Sequence, residues 1–106
     1  MNESDESPDV QMVSKHFDAL ISRESQAWDE CFPILLKFAE YGINNVKRSN
    51  ELEASEKKEL QDIAIYKLNA RLAKPEINKP GNASHLLNFL KRVAENTTKE
   101  IGRAHV

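Results

Sequence analysis

"ELQDIAIYKLNARLAK", residues 59–74, decides the fold. Leu60, Ala64, Leu68 and Leu72 recur every four residues, with Ile63, Tyr66, Ala70 and Ala73 beside them. That period belongs to an amphipathic helix; a half-buried strand would alternate apolar and polar residues. Pro75 ends the run after Lys74, because proline drives the residue before it out of the helical region. A helix with one apolar stripe has to bury it against neighbours, so the flanking sequence should supply more helices.

Upstream lies "AWDECFPILLKFAEYG", residues 27–42. Trp28, Phe32, Leu35, Ala39 and then Ile43 follow at steps of three or four, and Cys31, Ile34 and Phe38 widen the stripe. Pro33 lacks the N–H that would bond to Asp29, and its ring crowds that carbonyl, so a bend or a fresh start is expected there. Ser22 or Ser25 suits the N-cap, and Gly42 or a few residues beyond suits the end. Val10, Val13, Phe17, Leu20 and Ile21 imply an earlier helix ending near Ser22 or Arg23, with Ser7 as its cap and Pro8 at its first position. "MNESDESPD" carries four acids and no apolar period, so residues 1–8 read as a disordered acidic tail and residues 9–106 as a helical domain. Between the helices, "NNVKRSNELEASEKKE" offers two restarts: Asn50 with Glu53 as a capping box, or Ser55 followed by Glu56.

Downstream, "KPEINKPGN" holds two prolines and a glycine and reads as a loop. Asn82 or Ser84 caps a last helix whose inner face is Ala83, Leu86, Leu87, Leu90, Val93, Ala94, Thr97 and Ile101, with Gly102 near its end. No stretch alternates as a strand should. The expected fold is all-α, a single small bundle of about four helices. Its core should hold Trp28, Phe32, Leu35, Leu60, Ala64, Leu68, Leu86, Leu90 and Val93.

A chain of 106 residues can build one modest core without staples. Mean hydropathy is -0.62, and the longest apolar runs are far too short to span a bilayer. No basic stretch followed by an apolar one opens the chain, so a cytoplasmic protein is expected, with Cys31 a reduced thiol. Asn82-Ala83-Ser84 and Asn96-Thr97-Thr98 match the glycosylation pattern, but without export they are chance matches. The net charge of -2 argues against a general nucleic-acid binder. It hides an asymmetry: residues 1–64 carry 7 basic and 14 acidic side chains, residues 65–106 carry 8 and 3. An acidic front and a basic back suit different partners, or merely solvate the helix faces.

Catalytic groupings are hard to find. His16, His85 and His105 lie on separate segments, none at a metal-ligand spacing from Cys31. The three glycines, Gly42, Gly81 and Gly102, make no phosphate loop. Asp29-Glu30 and Glu51-Glu53 would diverge on a helix. No enzyme, cofactor or metal is expected.

With the helices placed, "DALISRESQAWDECFPILLKFAEYG" resembles the opening of region two in bacterial RNA polymerase sigma factors of the extracytoplasmic-function class. The matching positions are Ala27, Trp28, Phe32, Pro33, Leu35, Leu36, Phe38 and Ala39. "ELQDIAIYKLNARLAK" resembles the next helix, which in that family docks on a coiled coil of the largest catalytic subunit. "NASHLLNFLKRVAENTTKEIGRAH" resembles the last helix, a promoter-reading segment. The likeness spans roughly residues 16–104, in order. The family's Gln-Glu pair falls at Asp62 and Ile63, and of its base-stacking aromatics only Phe89 is present. No helix-turn-helix domain follows within these residues, so the chain reads as an excised domain, a truncated product or a diverged relative.

The resemblance implies a module of transcription initiation with core RNA polymerase and promoter DNA as partners, and leaves room for a regulatory protein. Leu60, Asp62, Tyr66, Lys67 and Arg71 would face polymerase. On the last helix Lys91, Arg92, Lys99 and Arg103 would meet phosphates, and Asn88 and Asn96 base edges. Arg92, Lys99 and Arg103 are seven and then four residues apart, one side of a helix, while Glu95 could neutralise Arg92. The alternative is a protein–protein interaction module of the same fold, its acidic half binding a basic partner without DNA and Tyr66 half-buried.

Overall fold

The computed structural model describes residues 7–74 and 79–104, including all their side chains except those of 48 and 101–104. Five α-helices and one 3-10 turn make up the described chain: α1 (Pro8–Lys15), α2 (Phe17–Ile21), α3 (Ser25–Asn44), the turn Lys47–Glu51, α4 (Ala54–Leu72) and α5 (Ala83–Ala104). The architecture is an all-α bundle. Helices α3, α4 and α5 pack on one another, while α1 leans on α3 and α5, and α2 on α3.

Local chemistry sets most boundaries. Ser7 Oγ accepts from Val10 N at 3.2 Å with Pro8 at the first helical position, so α1 begins inside the stretch assigned to the tail. The helix expected to run to Ser22 or Arg23 is instead two pieces. It breaks at His16, whose N–H is shared between the Met12 and Val13 carbonyls and whose Nε2 lies 3.0 Å from Glu30 Oε2 on α3. Arg23, at φ 62, then closes α2. Its N–H bonds Leu20 O and the next N–H, of Glu24, bonds Ala19 O, the paired pattern of a Schellman end with arginine where glycine is usual. Arg23 Nε also donates to Asn69 Oδ1 at 3.1 Å, tying this turn to α4.

Two of the expected caps are corrected and the third is borne out. Neither Ser22 nor Ser25 caps α3; Glu24 holds that position without a side-chain bond. Asn50 lies in the 3-10 turn, and α4 is opened by Glu53, whose N–H donates to Glu56 Oε1 at 2.8 Å. Of the two candidates for α5, Asn82 is the cap, its Oδ1 accepting from His85 N at 2.9 Å.

Helix α3 runs unbroken through Pro33, so no second segment begins there. Pro33 and Asp29 are both exposed, which places the orphaned carbonyl on the side where water can meet it. The buried ladder of α3 is Ala27, Trp28, Cys31, Leu35, Ala39 and Ile43. Trp28 Nε1 donates to Leu20 O at 3.1 Å, so the ring fills the core without stranding its polar atom. Phe32 is a correction: it stands 36% exposed, because the α3 stripe turns toward Cys31 and Leu35 instead. The other eight expected core residues are buried.

Leu60, Ala64, Leu68 and Leu72 line the core from α4, joined by Ile65. Tyr66, Ala70 and Ala73 lie outside, with Tyr66 74% exposed. On α5, Ala83, Leu86, Leu87, Leu90, Val93, Ala94 and Thr97 are all buried; the side chain of Ile101 lies outside the described residues. Thr97 and Thr98 bury their hydroxyls by donating to Val93 O and Ala94 O, each at 2.8 Å. At Gly42 α3 packs tightly on α5, the glycine Cα facing the Lys91 carbonyl and Ala94. Helix α3 ends at Asn44, two residues past Gly42 and within the end expected from the sequence.

Among the described residues no helix is long and apolar enough to cross a membrane.

Candidate nucleic-acid and partner interface

Burying the apolar face of α5 leaves its opposite face to water. His85, Asn88, Arg92, Asn96 and Lys99 are exposed on that side and Phe89 is half-buried, at helical steps of three and four. Over 14 residues such a row is ~21 Å long at 1.5 Å rise per residue. The helix continues to Ala104, so Arg103 extends the row by position; its side chain is outside the described residues.

Two acids, Glu95 and Glu100, border the row, and each is drawn to a partner off it. Glu95 does not neutralise Arg92 as the spacing suggested; its Oε2 accepts from Asn45 Nδ2 at 3.1 Å, at the end of α3. Among the described residues Arg92 and Lys99 have no ion-pair partner. Two depressions lie along this side. One, of about 300 Å³, is bordered by His85, Asn88, Phe89 and Arg92. The other, of about 250 Å³, sits between α4 and α5 and is lined by Lys67, Arg71, Val93, Asn96, Thr97, Lys99 and Glu100. Arg71 connects them, since its guanidinium carbon also lies 5.7 Å from the centre of the Phe89 ring.

The two residue sets expected from the sequence therefore do not stay apart. Lys67 and Arg71, assigned to a polymerase-facing surface, share a cavity with Asn96 and Lys99, assigned to DNA. Lys67 Nζ is held at 3.3 Å from Thr97 Oγ1 and 3.2 Å from Glu100 Oε1. Leu60 is a second correction: at 4% exposure it is core and presents nothing to a partner. Asp62, paired along α4 with Lys58 at 3.3 Å, and Tyr66 remain on the exposed side. Tyr66 is not the half-buried filler of the alternative reading. The sequence missed Glu100, Thr97 and the Arg71–Phe89 contact; the i, i+4 spacing of Lys67 and Arg71 was the available signal, but only the crossing of α4 on α5 shows what they meet.

No metal-binding group of three His, Cys, Asp or Glu occurs among the described residues. Cys31 is a free, fully buried thiol, and burial, with Glu30 beside it, pushes its pKa up, away from nucleophilic use. Compared with protein-family models, curated proteins and solved structures, the chain matches none.

Proposed function

We propose that this chain is a sigma-factor region-two-like module, a cytoplasmic binding protein without a catalytic step, in which the outer face of α5 meets promoter DNA and α4 meets core RNA polymerase. The observation that carries the reading is the exposed row Asn88, Arg92, Asn96 and Lys99, whose two cations have no ion-pair partner among the described residues, widened by Lys67 and Arg71 across the α4–α5 groove. Cations set on a rigid helix can track a phosphate backbone, and the two asparagines between them have the donors and acceptors to read base edges. Arg103 extends the same row. With so few cations the affinity of the module alone is weak and salt-sensitive, so polymerase supplies the rest of the binding. On α4 the exposed Tyr66 and Asp62 are the polymerase-facing pair, because Leu60 is buried and Lys67 and Arg71 turn to the groove.

The test pairs two assays on the full chain: co-retention with purified core RNA polymerase, and anisotropy with a single-stranded promoter-like oligonucleotide. Wild type should give both, Tyr66→Ala should lose the first alone, and Arg92→Glu with Lys99→Glu the second alone. Retention of polymerase without any DNA binding overturns the DNA half and favours a protein-interaction module.

A further inference from the structure

The cavity between α4 and α5 is built around a lysine that is already partly occupied. Lys67 is set in place by Thr97, a residue 3% exposed whose hydroxyl donates to Val93 O at 2.8 Å and so turns a lone pair toward the ammonium. An ammonium has three N–H groups; Thr97 takes one, Glu100 a second, and one is left. Arg71, Lys99 and the Asn96 amide line the same space. Three cations thus share this lining with one acid, Glu100, whose side chain is 64% exposed against 39% for Lys67.

We infer that this cavity is a phosphate subsite, with Lys67, Arg71 and Lys99 as its cations and Glu100 as a built-in competitor that an entering phosphate displaces. The inference rests on the reading of this face as one that meets nucleic-acid phosphate, and it adds the place and the device that weakens binding. The space is a depression of about 250 Å³ open to solvent, so a small phosphate ligand can enter it and reach the cations on its walls. Glu100 is exposed enough to swing into water, and exposed ion pairs of this kind hold weakly. A phosphate offers more charge and more acceptor oxygens than the carboxylate it replaces. Lys67 keeps its Thr97 tether when Glu100 leaves, so the ammonium stays aimed at the cavity. Glu100 therefore lowers affinity for any phosphate and sharpens dependence on a ligand able to outcompete it.

Titration of the full chain with inorganic pyrophosphate, followed by amide NMR shifts, tests this. Saturable shifts are expected at Lys67, Arg71 and residues 96–100, with Glu100→Gln binding roughly 1.5- to 5-fold tighter, the span that exposed ion pairs cover. Glu100→Ala should move affinity the same way, and Lys67→Gln should weaken it, with helical melts unchanged in all three. Unsaturable shifts scattered over the surface, or equal affinity in wild type and both Glu100 variants, overturn the subsite. A parallel arm with a single-stranded oligonucleotide separates the sources. Pyrophosphate binding that responds to Glu100 while the oligonucleotide does not bind keeps the subsite and rejects the DNA reading. Oligonucleotide binding indifferent to Glu100 does the reverse.

Discussion

Gly42→Ala places a methyl group where α3 meets α5. A Cβ at this position would overlap the Lys91 carbonyl oxygen and come within 2.9 Å of Ala94 Cβ and 3.0 Å of the Lys91 carbonyl carbon. Two of those three atoms are backbone and cannot rotate away, so the helices must part. Overpacking a tight core costs about 1–3 kcal/mol, and a clash with backbone belongs at the upper end, ~3 kcal/mol. Against this, alanine in a helix interior is favoured over glycine by ~1 kcal/mol. The net is a loss of ~2 kcal/mol, which for a domain of this size lowers Tm by ~8–16 °C. Thermal and urea melts followed by the helical circular-dichroism signal on both proteins give the answer. A Tm unchanged or raised by the substitution, as helix propensity alone would produce, refutes the close packing of α3 on α5.

Trp28→Ala should cost ~3–5 kcal/mol in urea melts, the range for removing a buried large aromatic; Trp28→Phe should cost ~1–3 kcal/mol by stranding the Leu20 carbonyl, and equal stability in either variant would take Trp28 out of the core. Phe32→Ser should shift stability by no more than ~0.5 kcal/mol, as exposed substitutions do, whereas Leu35→Ala three residues on should cost ~2–5 kcal/mol; similar losses at both would return Phe32 to the core. Cys31 should resist a disulfide reagent in the native state at pH 8 and react at once in denaturant. Because its folded pKa lies above the ordinary thiol value, the folded state holds its proton longer than the unfolded one. The stability this gives is present below the ordinary thiol pKa and is withdrawn as pH rises through and beyond it. Stability rising over that alkaline range in wild type relative to Cys31→Ala contradicts the assignment.

Periodicity made the bundle legible. The rows Leu60–Ala64–Leu68–Leu72 and Ala83 to Thr97 are buried as spaced, because each is the centre of a wide stripe on a long helix. The edges of stripes were less legible. Phe32 is apolar enough to be assigned inward and Tyr66 reads as facing a partner or as half-buried, yet which flank of a stripe is covered depends on the angle at which a neighbour crosses, which one helix does not encode. Gly42 reads from the sequence only as marking a helix end, and its tight packing on α5 depends on where α5 lies, which the local sequence does not encode. The break at His16 had no proline or glycine to announce it. At the candidate site the cations of α5 were visible as a row, but their company was not. Glu95 is turned aside by Asn45 and Glu100 is drawn to Lys67, both contacts between residues more than 30 apart in sequence.

The salt dependence of oligonucleotide binding bears most directly on the proposed function. Anisotropy of a labelled single-stranded promoter-like oligonucleotide, read from low to physiological salt, compares wild type with a triple variant carrying Arg92→Glu, Lys99→Glu and Arg103→Glu. Each phosphate contact to a single strand contributes a slope of about -0.7 in log affinity against log salt, so Arg71, Arg92, Lys99 and Arg103 together should give a slope near ~-3. Wild type should bind weakly with such a slope, and the triple variant should lose binding while melting as wild type does. Wild type that does not bind even at low salt, or binding that persists unchanged in the triple variant, contradicts a DNA-facing α5.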